Sequence, residues 1–125
     1  MVSIVELLDS ITARRPDGPL PADAVSPVPW TMLAEWLRSP EDEGKTFEQR
    51  TQVVMPDGTE KGEATIRFSM TARRHRNKTN VNGFPMGQEG EYILRLSLRE
   101  VAEGACWQVV AEYPVLVSHA DMAGA

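Results

Sequence analysis

The stretch Gly90–Val117, GEYILRLSLREVAEGACWQVVAEYPVLV, decides the fold. In its first arm Tyr92, Leu94, Leu96 and Leu98 alternate with Ile93, Arg95, Ser97 and Arg99. In its second arm Trp107, Val109, Ala111, Tyr113, Val115 and Val117 alternate with Gln108, Val110, Glu112, Pro114, Leu116 and Ser118. A period of two sends successive side chains to opposite faces, so each arm reads as a strand with one apolar face. The two arms form a β-hairpin ending near Ser118. The same alternation assigns Trp107 and Val109 to the core.

A second hairpin lies upstream. Phe47, Gln49, Thr51, Val53 and Met55 alternate with Glu48, Arg50, Gln52 and Val54. Pro56-Asp57-Gly58-Thr59 then supplies a turn, because proline presets φ and glycine accepts positive φ. Ala64, Ile66, Phe68 and Met70 carry the apolar face of the returning arm.

Two segments are open between helix and strand. In Val2–Ala13, Ile4, Leu7, Leu8 and Ile11 have helical spacing, while the β-branched residues and the turn at Arg15-Pro16-Asp17-Gly18 suit a strand. In Trp30–Leu37, either a helical set of Trp30, Leu33, Ala34 and Leu37 or an alternating set of Met32, Ala34 and Trp36 fits. Between them the five prolines of Pro16–Pro29 rule out a helix interior or a central strand and predict a stiff surface connection. Arg73–Asn82 reads as a polar, basic loop, with a short strand in Val81–Met86.

Short strands separated by turn signals predict an all-β fold: a single antiparallel β-sandwich of about seven strands. The expected core includes Trp36, Phe68, Tyr92 and Trp107. The expected domain spans residues 1–118, with 119–125 as a flexible tail.

The bulk numbers suit one ordinary domain. The chain has 125 residues, 42% hydrophobic and 25% charged. A net charge of −5 disfavours non-specific attraction to nucleic acid. Cys106 is the single cysteine, which excludes an intramolecular disulfide. No secretory pattern and no apolar run of bilayer length is visible, so a cytoplasmic, non-membrane protein is expected.

The ordered signals Trp36, Pro40-Glu41, Gly44, Phe47, Pro56-Asp57-Gly58, Phe84-Pro85, Gly90-Glu91-Tyr92 and Tyr113-Pro114-Val115 resemble a family of small uncharacterised bacterial proteins. The resemblance covers most of the chain and implies an immunoglobulin-like or C2-like sandwich. It further implies that Trp30–Leu37 and the N-terminal segment are strands. It brings no catalytic residue with it, and Pro16–Pro29 departs from the family pattern.

Chemistry-bearing patterns are sparse. His75, His119 and Cys106 share no metal-ligand spacing. Glu41-Asp42-Glu43 is a contiguous acidic triplet, which suits a solvated loop better than the six to eight oxygens calcium takes. There is no nucleophile elbow and no phosphate-binding glycine pattern. Cys106 precedes a strand and reads as a semi-buried residue rather than an activated thiolate. No cofactor is expected, and enzymatic activity is not the favoured reading.

Two candidate surfaces remain. Arg73, Arg74, Arg76 and Lys78 place four cations in six residues. Without interleaved aromatics they favour a protein partner or a solvated loop over nucleic acid. In an immunoglobulin-like topology they share one end of the sandwich with Glu41–Glu43, Glu100 and Glu103, which would neutralise them. Ile93, Val110 and Leu116 are apolar where the alternation expects polar side chains. They mark scattered surface residues, a covered face, or a homo-oligomer contact. The favoured function is a non-catalytic protein-interaction module. The alternatives are a ligand-binding or enzymatic sandwich using Glu41, Asp42 and Glu103, and weak nucleic-acid binding through Arg73–Lys78.

Overall fold

The computed structural model describes residues 2–6, 10–15, 24–25 and 29–121. They form strands β1 (Val2–Glu6), β2 (Ser10–Arg15), β3 (Pro29–Leu37), β4 (Thr46–Val54), β5 (Glu60–Ser69), β6 (Arg74–Asn82), β7 (Gly90–Glu100) and β8 (Gln108–Asp121). A three-stranded sheet, β1-β3-β6, faces a five-stranded sheet, β2-β8-β7-β4-β5. All pairings are antiparallel except β2 with β8, which is parallel. The chain is therefore an all-β sandwich. No described helix is long and apolar enough to cross a membrane.

Both open segments are strands. The N-terminal one is two strands on different sheets: β1 pairs with β3, and β2 pairs with β8. Trp30–Leu37 lies within β3, with Met32, Ala34 and Trp36 buried. Residues 16–23 and 26–28 of the proline-rich connection lie outside the described residues. Its described part is anchored by Val25, which bridges Pro85, and by Ala24, whose carbonyl accepts from Met86 N at 2.9 Å.

The β4–β5 turn forms as its residues dictate. Gly58 N donates to Met55 O at 2.8 Å, Met55 N donates to Thr59 O at 2.8 Å, and Gly58 takes φ of 88°. Asp57 Oδ1 accepts from Thr59 N at 2.9 Å, which closes the turn with a side chain. This turn packs on the start of β7. A Cβ on Gly90, whose φ is 131°, would lie 3.2 Å from Pro56 Cβ, so both the space and the backbone there require glycine.

The interior has two apolar clusters. One gathers Met32, Ala34, Trp36, Phe47, Phe68, Met70 and Leu96. The other gathers Val53, Met55, Phe84, Tyr92, Leu94, Val115 and Val117. Trp30 packs against both. Gln49, Thr51, Asn77 and Thr79 are also buried. Gln49 Oε1 accepts from Trp36 Nε1 at 2.9 Å and from Asn77 Nδ2 at 3.0 Å. His75 Nε2 meets Asn77 Oδ1 at 2.7 Å, and the His75 ring stacks on Phe68 at 4.9 Å. Gln49 and Asn77 thus join β4 to β6 across the interior, as burial of polar groups demands, while the Thr79 hydroxyl is left without a partner.

Three expectations are corrected. Trp107 is not in the core. Leu96 pairs with Ala111, but Ser97 pairs with Val109, so Val110 is an extra residue in β8. A bulge of one residue reverses which face each later side chain takes. Ala111, Tyr113, Val115 and Val117 face inward as the alternation says, whereas Val109 and Trp107 are turned out. Second, Arg74–Asn82 is strand β6 rather than a loop, and no separate strand follows it in Val81–Met86. Third, β8 continues to Asp121 rather than ending near Ser118. His119 Nε2 donates to Met86 O at 2.6 Å and its backbone N donates to Glu89 Oε1 at 2.7 Å, so it is held in the fold. Residues 122–125 lie outside the described residues.

Candidate interaction face

The bulge builds the most organised surface of the molecule, on the outer side of the five-stranded sheet. Two guanidiniums lie over the Trp107 ring, with Arg50 Cζ at 4.4 Å and Arg99 Cζ at 4.3 Å from its centroid. β4 supplies Arg50 and β7 supplies Arg99, both from outward positions of their strands. Each cation meets the electron-rich face of the indole, which holds the ring in place. Ser97 sits in register between Arg50 and Val109 and is fully buried although it belongs to the outer side.

Acidic residues order the rest of this face. Glu48 Oε1 accepts from Arg99 Nη2 at 2.7 Å and Arg99 Nε at 3.2 Å, and Arg67 lies 3.7 Å from Glu48 Oε2. The Arg99 hydrogen bond holds the Glu48 carboxyl below the ordinary carboxylate range, helped by the charges of Arg99 and Arg67 and opposed by desolvation. Further along, Arg95 meets Glu60 at 3.3 Å and Glu112 at 4.0 Å. Arg50 has no carboxylate partner among the described residues, and its Nε makes no hydrogen bond.

Apolar side chains flank this charged band at both ends. Val109 and Val110, 54% and 40% exposed, lie beside Trp107. At the other end Ile93 pairs in register with Val54 and Pro114, and Leu116, 52% exposed, pairs with Glu91. Ile93 and Leu116 therefore share a patch. Val110 does not belong to it, because the Arg95–Glu112 pair stands between them. β8 is not a simple open edge either. β2 covers it from Leu116 onward, and Pro114 lies in the stretch that has no second partner among the described residues.

The basic run is arranged differently from the expectation. Arg74 and Arg76 both engage Glu35 on neighbouring β3, at 2.7 Å and 3.3 Å. Lys78 is exposed and forms no ion pair among the described residues. Arg73 is exposed, and its carbonyl accepts from Arg38 N at 2.7 Å. The loops do meet at one end, since Val101 N donates to Thr46 O at 2.7 Å. The charges pair elsewhere: the partner of the run is Glu35, and Glu100 faces Lys45 at 3.9 Å.

The candidate acids do not converge. Asp42 Oδ2 accepts from Ser39 N at 2.9 Å and caps a short 3-10 turn, Pro40–Asp42. Glu41 and Glu103 are exposed. Among the described residues no three His, Cys, Asp or Glu side chains form a metal-holding group. Cys106 is exposed, not semi-buried, since β8 begins only at Gln108.

Sequence reasoning placed Trp107 and Val109 in the core and did not single out Arg50 and Arg99, which it put on the outer face, as site residues. One signal was present. Val109-Val110-Ala111 puts three apolar residues in succession, where a strand with one wet face admits one in two. A second missed feature is a cleft of about 300 Å³ between β5 and β6. No protein-family model matches the chain, and no curated protein matches it in sequence.

Proposed function

We propose that this protein is a non-catalytic interaction module that binds a protein partner through the outer face of its five-stranded sheet. The observation that carries the reading is the stacked Trp107 beside Val109, both turned outward by the bulge at Val110. Tryptophan and arginine dominate binding energy at protein interfaces, and a ring already fixed loses little freedom on association. Val109, Val110 and Leu116 supply exposed apolar area on the same strand.

On this reading the sandwich is immunoglobulin-like rather than C2-like. The run β8-β7-β4-β5 follows the G, F, C and C′ strands of a variable-type sheet. Tyr92 lies near the start of β7, and its hydroxyl accepts from Gln88 N at 3.0 Å, the arrangement of a tyrosine corner. Leu94, two residues on, is buried and apolar where many such domains carry a disulfide cysteine. The reading includes membership of the small bacterial family whose turn signals the chain resembles, and a cytoplasmic location. Fold alone names no partner, so the argument rests on the face.

The test uses immobilised wild-type protein and a Val109→Asp/Leu116→Asp variant that unfolds at the wild-type temperature. Both are exposed to native lysate, with and without nuclease. Wild type should retain a stoichiometric protein in both conditions, and the variant should lose it. Equal retention by the variant refutes the face, and loss on nuclease treatment alone points to Arg73–Lys78.

A further inference from the structure

The sandwich is unequal: three strands face five, and the imbalance falls at β6. β6 pairs with β3 on one side and has no strand on the other among the described residues. Opposite it, β5 is the poorly covered edge of the larger sheet, with Phe68 its only buried residue. Between the two edges lies the cleft of about 300 Å³, walled by Trp30, Val53, Ala64 and Val81. Thr51 and Thr79 also line it. Thr79 is 8% exposed, and its hydroxyl has no hydrogen-bond partner. A buried hydroxyl without a partner costs free energy until something supplies one.

We propose that the free edge of β6 accepts an extended segment of a partner protein as a fourth strand of the smaller sheet. Alternate apolar side chains of that segment enter the cleft beside Thr79, and the intervening acidic ones face outward beside Lys78. The inference concerns a different surface from the outer face of β8 and stands independently of it.

The geometry follows from strand spacing. A new strand lies about 4.8 Å from β6 and about 10 Å from the opposite sheet, which places it over β5. Nine residues of β6 offer roughly 30 Å of edge at about 3.3 Å per residue. Main-chain hydrogen bonds give such additions their affinity, and pockets for alternate side chains give specificity. Charge selects the occupant. Arg74, Arg76 and Lys78 project outward from β6, and Glu35 is the one carboxylate that pairs with any of them among the described residues. An acidic segment relieves that excess. A second copy of this chain does not, because antiparallel pairing centred on Arg76 or Lys78 sets cation against cation.

The test is a capped nine-residue peptide alternating valine and glutamate, added to isotope-labelled full-length protein, with amide hydrogen exchange read by residue. Alternate amides within Arg74–Asn82 should become protected. A valine–lysine peptide should bind more weakly by about tenfold or more. No protection of β6 at saturating peptide overturns the proposal, as does equal binding of the two peptides. A footprint confined to β8 overturns it as well, while leaving the outer-face reading intact.

Discussion

Two groups of arginines divide this molecule. Arg73, Arg74, Arg76 and Lys78 fall within six residues, yet β6 spreads the last three along an edge, where Arg74 and Arg76 share Glu35. Arg50 and Arg99 are far apart in sequence, yet β4 and β7 bring both guanidiniums over one indole. The first group is a charge density without an organiser. The second has one, Trp107, placed by a single extra residue in β8. Proximity in sequence measures net charge, whereas register decides which charges act together.

Inserting one alanine between Val109 and Val110 attacks the comparison at its root. With the bulge kept at one residue, the alanine takes the place opposite Ser97, and Val109 and Trp107 turn toward an interior already filled by Phe47, Phe68 and Leu96. Deleting Val110, by contrast, leaves Val109 opposite Ser97 and keeps the face. The insertion should cost about 3 kcal/mol in urea unfolding, the upper range of overpacking costs. An unchanged midpoint would mean the register at Val110 does not set the face.

Acid should weaken the organised group next. The Glu48 carboxyl is held below its ordinary value of 4.5, chiefly by Arg99. A lowered value means the stability from Glu48 is fully present above 4.5 and is lost as pH falls through the lowered value. Glu48→Gln should therefore flatten the decline in unfolding midpoint below pH 4.5 and lower the midpoint at neutral pH. Parallel acid limbs in the two proteins would contradict the Arg99 assignment.

The smallest effects belong to the first group. Arg74→Ala and Arg76→Ala should each change stability by no more than about 0.5 kcal/mol, because both side chains are exposed and either alone can serve Glu35. A larger loss would show that this pair is structural after all.

Most of the architecture was legible. The β4–β5 hairpin reads directly, because Pro56-Asp57-Gly58-Thr59 fixes its own turn and the alternation on either side is coherent where packing decides. The β7 arm and the Val115–Val117 end of β8 read equally well. Beyond Ala111 the alternation misleads, since a bulge shifts parity without changing composition, and only pairing with β7 reveals it. The N-terminal segment was ambiguous for another reason. β1 and β2 are short strands on different sheets, one parallel to its neighbour, and no local period encodes a change of sheet. The basic run looked like a loop because its inward residues, His75, Asn77 and Thr79, are polar. Asn77 is buried against Gln49, 28 residues away, and the half-buried His75 stacks on Phe68 of the facing sheet.

The most direct test of the account is a double-mutant cycle between Arg99 and Trp107, using Arg99→Ala, Trp107→Ala and the double variant in urea unfolding. If the indole organises the outer face, the pair should show a coupling of about 0.5–1 kcal/mol beyond the separate losses. Strict additivity of the two losses would mean that Trp107 and Arg99 merely lie side by side, and the organised face would have no energetic basis.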